Sequence, residues 1–239
     1  MPSSNPKVAV ILAGSGRGDG SEIHESVSCL IHLARLGASY MCFAPDAPQA
    51  DVVNHVTGKP TGETRNMMVE AARIARGDIK PVSELRAEDF DAVVFPGGFG
   101  AAKNLCTFAK DGENCTVRPD VEKVVKAFHS AGKPLAMCCI APVIGAKVLG
   151  KAGGGPGVSL TIGDDAGTAQ AIQKMGASNI IKKVTEAVTD EQNRLASTPA
   201  YMYGDASPWE VYQGIGEMIE RTLGMIKAPT ARPREMARS

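Results

Sequence analysis

The sequence has few aromatic residues, no excess of either charge and no long hydrophobic run. Of its 239 residues, 6 are Phe, 4 are Tyr and 1 is Trp, while 26 Lys and Arg balance 26 Asp and Glu. Proteins that bind nucleic acid or membrane surfaces carry a basic excess, so the neutral balance argues against both partners. A membrane-spanning helix needs about 20 consecutive apolar residues. No apolar run of the chain approaches that length.

Histidine and cysteine are placed in a way that excludes several kinds of site. The six cysteines contain no C-x-x-C pair, and no H-E-x-x-H segment occurs, so we expect no metal and no metal cofactor. Every histidine precedes Cys139, which excludes a glutaminase-like or papain-like order with the catalytic histidine downstream. A histidine that folds back onto the site, such as His24 or His129, is still compatible with the sequence.

Cysteine usage and the N-terminus bear on the compartment. Several cysteines sit in apolar runs, where a free thiol behaves as a small hydrophobic group, and this indicates a reducing environment. The first predicted strand begins at Lys7, which leaves no room for a targeting peptide. We therefore expect a cytoplasmic protein.

What the chain does contain is a regular alternation of apolar strands and amphipathic helices, with many of its 26 glycines at the joints. Such alternation predicts an α/β fold, with a mostly parallel sheet covered by helices on both faces. We expect one domain over 1–226 and a disordered Pro- and Arg-rich tail over 227–239. The pattern predicts strands at 7–13, 40–44, 92–95, 134–138, 159–162, 180–184 and 196–199, and helices at 22–36, 64–75, 119–130, 141–149, 167–175 and 208–226.

A glycine-rich loop follows the first predicted strand at 14–20. The dinucleotide fingerprint G-x-G-x-x-G fails there in both frames, because Asp19 and Ser21 occupy the third glycine position. No Gly-Lys-Ser/Thr follows, so a phosphate-binding loop is excluded as well, and we expect no nucleotide cofactor. The loop instead indicates a tight turn, around Gly16, that exposes backbone amides at the mouth of a site.

The segment Met-Cys-Cys-Ile-Ala-Pro at 137–142 ends a strand, turns sharply and starts a helix at Pro142. This is the geometry of a nucleophile elbow, although the G-x-S-x-G spelling is absent. Cys139 at the turn would feel the positive end of the helix dipole, which favours a thiolate. Cys138 belongs to the strand. The spelling alone is equally compatible with two buried structural cysteines.

Two other segments could complete such a site. The Gly-Gly-Phe-Gly turn at 97–100 could place the Gly98 N–H opposite the elbow, so that it forms an oxyanion hole with the Ile140 N–H, or it could be a plain turn. Glu22 and Glu25 lie in the first turn of a helix, where acids complement the dipole. Helical spacing puts Glu25 above Cys29 at the start of an apolar stripe. Partial burial there would raise its pKa and suit a general acid/base. A second apolar stripe of this helix comprises Ile23, Val27, Leu30, Ile31 and Ala34.

Several segments together resemble the ElbB family of the PfpI-like superfamily, whose members have a class I glutamine-amidotransferase-like domain. They are DGSEIHE at 19–25, FAPD at 43–46, ETRN at 63–66, PGGFGAAKNL at 96–105, CIAP at 139–142 and TPAY at 198–201. The resemblance runs from 7 to 226. It implies a flavodoxin-like three-layer α/β/α sandwich, a homodimer, Cys139 as the elbow cysteine beside Glu25, and Gly98 and Ile140 as backbone donors. Further candidates to line the pocket are Glu22, His24, Gly16, Arg65, Asn66, Cys138 and Pro199.

The resemblance also implies an activity. Bacterial members of the family are described as glyoxalases that need no cofactor and no glutathione, and that convert small 2-oxoaldehydes such as methylglyoxal to 2-hydroxy acids. The expected partner is thus a small aldehyde. Vertebrate relatives are mitochondrial, which is the alternative to the cytoplasm. The family loop usually reads Gly-Cys-Gly-Val-Tyr-Asp-Gly, whereas this chain has Ser15, Arg17 and Gly18 in place of the Cys, Val and Tyr. A pocket tyrosine is therefore absent, which affects substrate shape and rate.

An alternative function belongs to another class. The same elbow could serve a redox-sensing or chaperone-like dimer in which Cys139 is oxidised and Cys138 acts as a resolving thiol. Adjacent cysteines form a disulfide only with strain, which weighs against that role. A third function, as a glutaminase subunit, is disfavoured by the missing downstream histidine.

Overall fold

A seven-stranded sheet forms the centre of this computed structural model, which describes residues 5–227. The strands of the described chain are β1 Lys7–Ile11, β2 Ser39–Ala44, β3 Val53–Asn54, β4 Lys59–Pro60, β5 Ile79–Pro81, β6 Ala92–Phe95, β7 Leu135–Cys138, β8 Ser159–Leu160, β9 Ser178–Asn179, β10 Val188–Asp190 and β11 Leu195–Thr198. The sheet order is β10-β11-β7-β6-β1-β2-β5, and every neighbouring pair is parallel except β10 with β11. The pairs β3–β4 and β8–β9 form two small separate sheets.

Helices cover both faces of the central sheet. They are α1 Ile23–Arg35, α2 Met67–Ala71, α3 Phe99–Lys103, α4 Phe108–Asp111, α5 Pro119–Ser130, α6 Pro142–Leu149, α7 Ala166–Lys174 and α8 Pro208–Lys227. Alternate residues of β1 enter two different cores: Val8 and Val10 pack with α1 and α8, whereas Ala9 and Ile11 pack with α5 and α6. All four are fully buried, as expected for a strand covered on both sides. The predicted flavodoxin-like α/β/α sandwich is confirmed.

The sheet order brings the candidate segments together. Strands β11, β7, β6 and β1 are adjacent and parallel, so the loops that follow them leave the sheet at the same edge. The chain continues from β1 to β2 on one side, while β6 lies on the other side, which makes the crevice between β1 and β6 a topological switch point. Ligands of open α/β sheets bind at such crevices.

Some predicted elements differ from the structure. The helix predicted at 64–75 is only Met67–Ala71, because the Asn66 side chain accepts the N–H groups of Met68 and Val69 and so fixes its start. The strand predicted at 180–184 is wrong, since β9 ends at Asn179 and pairs with β8 outside the central sheet. The edge strands β5 and β10 were not predicted.

On α1 the two apolar stripes have different environments. The side chains of Cys29 and Leu33 are fully buried, whereas Ile23, Val27 and Ile31 are 47%, 38% and 47% exposed. The face of α1 that packs on the sheet is therefore the one that carries Glu25.

Within residues 5–227, no helix is long and apolar enough to cross a membrane. Over the same residues, no group of three or more His, Cys, Asp or Glu side chains could hold a metal ion. The tail predicted to be disordered at 227–239 lies outside the described residues, except for Lys227, which ends α8.

Candidate active site

Cys139 occupies a strained turn between β7 and α6. Its φ is 57°, in the left-handed region that costs a non-glycine residue roughly 1–2 kcal/mol. The Cys139 N–H donates to the Thr198 carbonyl at 3.0 Å, and the Ala141 N–H donates to the Cys138 carbonyl at 3.0 Å, so β11 and the turn itself hold this conformation. Pro142 then begins α6. Strained non-glycine residues of this kind cluster at functional sites.

The carboxyl group of Glu25 lies directly beside this turn and is fully buried. It interacts with the neighbouring Cys139 thiol. Its Oε1 accepts the Tyr201 N–H at 3.2 Å, and its Oε2 lies 3.9 Å from the Cys138 sulfur. A Cβ built on Gly97 would lie 2.4 Å from the Cys139 Cβ and 2.6 Å from Glu25 Oε2. The cysteine and the carboxyl can therefore meet only because residue 97 has no side chain.

Burial raises the pKa of Glu25 from its ordinary 4.5 to about 8. Desolvation is the largest cause, and the negative charge of Glu22 adds to it. The Tyr201 N–H, the Cys139 thiol and the Gly97 N–H act in the opposite direction by donating to the carboxylate. A carboxyl group with this pKa exists in both protonation states near neutral pH.

The pKa of Cys139 corrects the sequence-based expectation of a thiolate. The helix start was expected to lower it, but the pKa of the Cys139 thiol is raised well above its ordinary value of 9.0. Desolvation is the main cause and the charge of Glu25 the second, and these outweigh the N–H groups of Gly98 and Ile140. The Glu25 carboxylate disfavours the thiolate of Cys139, whereas the Cys139 thiol donates to that carboxylate and favours the ionised form of Glu25, so the two groups titrate together. An attacking sulfur must therefore lose its proton to Glu25.

The Gly98 and Ile140 N–H groups both interact with the Cys139 sulfur. They thus converge on the place where an oxyanion would form on a carbon bonded to that sulfur. Gly98 has a φ of 93°, and a Cβ there would lie 2.3 Å from the Glu22 nitrogen. The Gly100 N–H donates to the Gly20 carbonyl at 2.8 Å, so the two glycine-rich loops pack backbone against backbone.

A cavity of about 480 Å³ opens over Cys139. Of the residues predicted to line it, Glu22 does so. His24 does not line the cavity, but its Nδ1 lies 2.8 Å from the hydroxyl of Tyr201, which does. Cys138 is fully buried beneath the site. The lining residues are Arg17, Glu22, Gly98, Phe99, Ala102, Phe108, Ala109, Cys139, Ile140, Asp165, Thr168, Tyr201 and Met202.

Four residues predicted to line the pocket lie elsewhere. Arg65 pairs with Glu63 at 2.7 Å and with Glu70 at 3.5 Å. Asn66 caps α2. Gly16 packs against the ring of His55 rather than against the cavity. Pro199 is not among the lining residues, although it directly precedes the Ala200–Met202 turn that supplies two of them. Hydrogen bonding within the loops accounts for the positions of Arg65 and Asn66.

Most residues of the cavity wall were not predicted from the sequence. Tyr201 and Met202 follow β11, and their position at the carboxyl end of a strand was a usable signal. Phe108 and Ala109 come from α4, which the sequence pattern did not predict. His55 was also missed: its Nε2 accepts the Gly18 N–H at 3.0 Å and so supports the 14–20 loop.

The parallel sheet, the strained elbow cysteine and the buried carboxyl beside it define a class I glutamine-amidotransferase-like protein, with the fold that PfpI and DJ-1 proteins share. No family model matches the chain. It is 47% identical over 233 residues to the human mitochondrial glutamine amidotransferase-like class 1 domain-containing protein 3, covering 93% of this chain and 84% of that protein. It is 46% identical over 232 residues to the rat mitochondrial ES1 protein homolog, covering 93% and 85%. The chain belongs to the family of these two proteins.

Solved structures agree with this assignment. An Ehrlichia chaffeensis isoprenoid biosynthesis protein with an amidotransferase-like domain superposes with a TM-score of 0.86 at 38% identity, covering 93% of this chain and all of the other. A Salmonella typhimurium DJ-1 superfamily protein shares the fold, with a TM-score of 0.51 at 24% identity over 92% of this chain and 88% of its own. The predicted class I glutamine-amidotransferase-like domain is confirmed. The mitochondrial names of the relatives support the mitochondrial alternative and not the cytoplasmic expectation.

Proposed function

We propose that the chain is a cofactor-free, glyoxalase-like enzyme that converts small 2-oxoaldehydes, such as methylglyoxal and glyoxal, to 2-hydroxy acids. The observation that carries the proposal is the contact between the Cys139 thiol and the buried Glu25 carboxyl, whose pKa is about 8. An acid/base group works best when its pKa lies near the operating pH, and such catalysis contributes roughly 10²–10⁴-fold.

The first step joins the enzyme to the aldehyde. Glu25 takes the thiol proton as the Cys139 sulfur bonds to the aldehyde carbon, and the carbonyl electron pair moves to the oxygen. The Gly98 and Ile140 N–H groups donate to that oxygen while it is negative. Glu25 then returns the proton to the oxygen, which gives a hemithioacetal and leaves the carboxyl ionised.

The second step moves hydrogen between neighbouring carbons. Ionised Glu25 removes the proton from the carbon bonded to sulfur, which gives an enediolate. Glu25 then returns this proton to the adjacent carbon, while the hydroxyl proton of the former aldehyde carbon passes to the oxygen of that adjacent carbon. The former aldehyde carbon is then the carbonyl of a thioester. Water cleaves the thioester, releasing the 2-hydroxy acid and restoring the Cys139 thiol. The net reaction adds one water and needs no oxidant or reductant.

The redox-sensing alternative rests on the second cysteine of the elbow. Cys138 lies beneath the site in contact with Cys29 and Glu25, and its interaction with the Cys29 thiol, followed by burial, raises its pKa as well. Oxidants react with the thiolate, so raised pKa values at both Cys138 and Cys139 favour acid/base catalysis over peroxide sensing.

We also propose the homodimer and the mitochondrial setting. Ile23, Val27, Ile31 and Tyr40 line one groove and are each between 38% and 47% exposed. A second copy would cover it. Light scattering should give a dimer for the wild type and a monomer for Ile31→Glu, and a monomeric wild type would contradict the dimer.

Cell fractionation should recover the protein with mitochondria, as for its named relatives, and recovery in the cytosol would contradict that setting.

The activity is tested by proton NMR of methylglyoxal with the purified protein and no glutathione. The proposal expects lactate from the wild type and from Cys138→Ser, and none above background from Cys139→Ser. If the wild type produces no lactate but accumulates a Cys139 sulfenic acid or a disulfide with dilute peroxide, the redox function replaces the proposed one.

A further inference from the structure

The cavity over Cys139 is larger than the aldehydes of the proposed reaction. Its volume of about 480 Å³ falls in the range of about 300–1,000 Å³ that proteins use for drug-sized ligands. Methylglyoxal has only a few non-hydrogen atoms, and a water-sized group takes up roughly 30 Å³. Such an aldehyde would leave most of the cavity to solvent, so the shape of the site fits a longer molecule.

The wall of this cavity is largely apolar and partly aromatic. In a chain with only 6 Phe and 4 Tyr, Phe99, Phe108 and Tyr201 all line it, together with Ile140 and Met202. Phe99 is 51% exposed at the rim, an unusual position for so large an apolar side chain. These side chains would pack against an apolar body attached to the reactive carbonyl.

Arg17 is the one cation among the lining residues of the cavity. Its backbone is fixed, because its carbonyl accepts the Phe99 N–H at 2.8 Å. No ion pair or side-chain hydrogen bond joins its guanidinium to another residue of the described chain. Lys103 lies close by, but it pairs with Asp51 at 2.9 Å and does not line the cavity.

The two acids of the wall are engaged with backbone donors. Glu22 accepts the Glu25 N–H at 2.7 Å, and Asp165 accepts the Thr168 N–H at 2.7 Å as the N-cap of α7. Arg17 is thus the charged group of the cavity that lacks a partner within the described chain. It is exposed at the mouth, whereas Cys139 is buried at the base.

We propose that Arg17 makes the site selective for 2-oxoaldehydes in which an apolar body separates the reactive carbonyl from a carboxylate. The aldehyde carbon reaches Cys139, the body packs between Phe99 and Phe108, and the carboxylate meets the Arg17 guanidinium at the mouth. A guanidinium binds a carboxylate through two parallel N–H donors, which fixes orientation as well as charge. This inference rests on the proposed function, because it names the substrate class of the same reaction.

The test compares phenylglyoxal with 4-carboxyphenylglyoxal, which share one body and differ in the carboxylate. We expect the wild type to prefer the carboxylated substrate. Arg17→Ala should lower the ratio of the two kcat/KM values about tenfold, mainly through the KM of the carboxylated one. Arg17→Lys should keep part of the preference. Arg86→Ala, which removes another exposed arginine that does not line the cavity, should leave the ratio unchanged. Because dicarbonyls modify arginine, intact mass is measured after each assay.

A calorimetric arm separates the two possible failures. The corresponding products, mandelate and 4-carboxymandelate, bind without turnover. If the wild type turns over both aldehydes but Arg17→Ala leaves the ratio unchanged, the inference about Arg17 is overturned and the proposed function stands. If neither aldehyde is consumed but 4-carboxymandelate binds more tightly than mandelate only when Arg17 is present, the proposed function fails and the charge selection by Arg17 is supported.

Discussion

Two pairs of cysteines lie in the two cores on opposite faces of the sheet. The elbow pair, Cys138 and Cys139, lies in the core with α1 and α8, and the loop pair, Cys106 and Cys115, lies in the core with α5 and α6. All four side chains are buried. The sulfurs of the loop pair hydrogen-bond to each other, and this contact lowers the pKa of Cys115 and raises that of Cys106.

Thiol acidity alone would select the loop pair rather than the elbow pair. Cys115 has the lowered pKa and Cys139 the raised one, although a lower pKa generally makes a cysteine more reactive. Cys139 differs by lining a cavity, by contacting the Glu25 carboxyl and by facing two backbone N–H donors. A buried thiol therefore becomes a candidate nucleophile through its neighbours. These neighbours can take the proton of the thiol and stabilise the oxyanion that its attack creates.

The largest expected effect is on turnover when each pair loses a cysteine. Cys139→Ser should lower the kcat/KM for methylglyoxal by at least about 10³-fold, because it removes the nucleophile of a multi-step reaction. Cys115→Ser, the matched change in the loop pair, should alter it by less than about threefold. Equal losses in the two variants would contradict the proposed difference between the pairs, since they would show that both substitutions act through folding.

Removing the acid/base group should have the next largest effect. Glu25→Gln keeps the size of the side chain but cannot take the thiol proton, so kcat/KM should fall about 10²–10³-fold. In the wild type, kcat/KM should rise with pH and level off above an inflection near 8, where Glu25 ionises. A flat pH profile between 6 and 9 would contradict the role of Glu25 as the base.

The glycines near the two pairs offer a third test, on stability. Gly98 and Gly112 both have positive φ, but a Cβ on Gly98 would lie 2.3 Å from the Glu22 nitrogen, whereas nothing lies within 4 Å of one on Gly112. Gly112 has a φ of 54° and a ψ of −133°, a conformation that favours glycine, so Gly112→Ala should cost about 1–3 kcal/mol of unfolding free energy through strain alone. Gly98→Ala should cost more, by about 1–3 kcal/mol. Urea unfolding of both variants measures this difference, which disappears if the site backbone adjusts freely.

The last test concerns the dependence of stability on pH. The raised pKa means that folded Glu25 holds a proton between pH 4.5 and about 8, where the unfolded carboxyl is ionised. Its contribution is therefore fully present below pH 4.5 and is lost as pH rises through 8, by on the order of a few kcal/mol. Urea unfolding at pH 5 and pH 8 should show a larger loss for the wild type than for Glu25→Gln. A larger loss for the variant would reverse the sign and contradict the burial of an uncharged carboxyl.

Local patterns indicated the separate parts of the site, although only the family resemblance placed Glu25 beside Cys139. A strand followed by Pro142 identified the elbow, and helical spacing placed Glu25 on the buried face of α1. Because the carboxyl ends of parallel strands meet at one edge of a sheet, the glycine-rich loops were expected to lie at the same edge. Each of these inferences uses only residues near one another in the chain, together with the general geometry of parallel sheets.

The remainder depended on tertiary structure. The pKa of Cys139 was predicted in the wrong direction, because the helix dipole is visible in the sequence whereas full desolvation arises only when α1 packs over the elbow. The wall residue Phe108 comes from the short helix α4, which has no periodic pattern of its own. Arg65 and Asn66 belong to a recognisable segment, but local ion pairs and capping hold them away from the cavity.

The central claim is that a buried carboxyl able to give and take protons separates the elbow pair from the loop pair. Carbon-13 NMR of protein labelled at the glutamate carboxyls, with the signal assigned by its loss in Glu25→Gln, measures this most directly. The account predicts a Glu25 titration with a midpoint about 8. A midpoint near the ordinary 4.5 would leave the carboxyl ionised at neutral pH, unable to donate a proton, and would contradict the account.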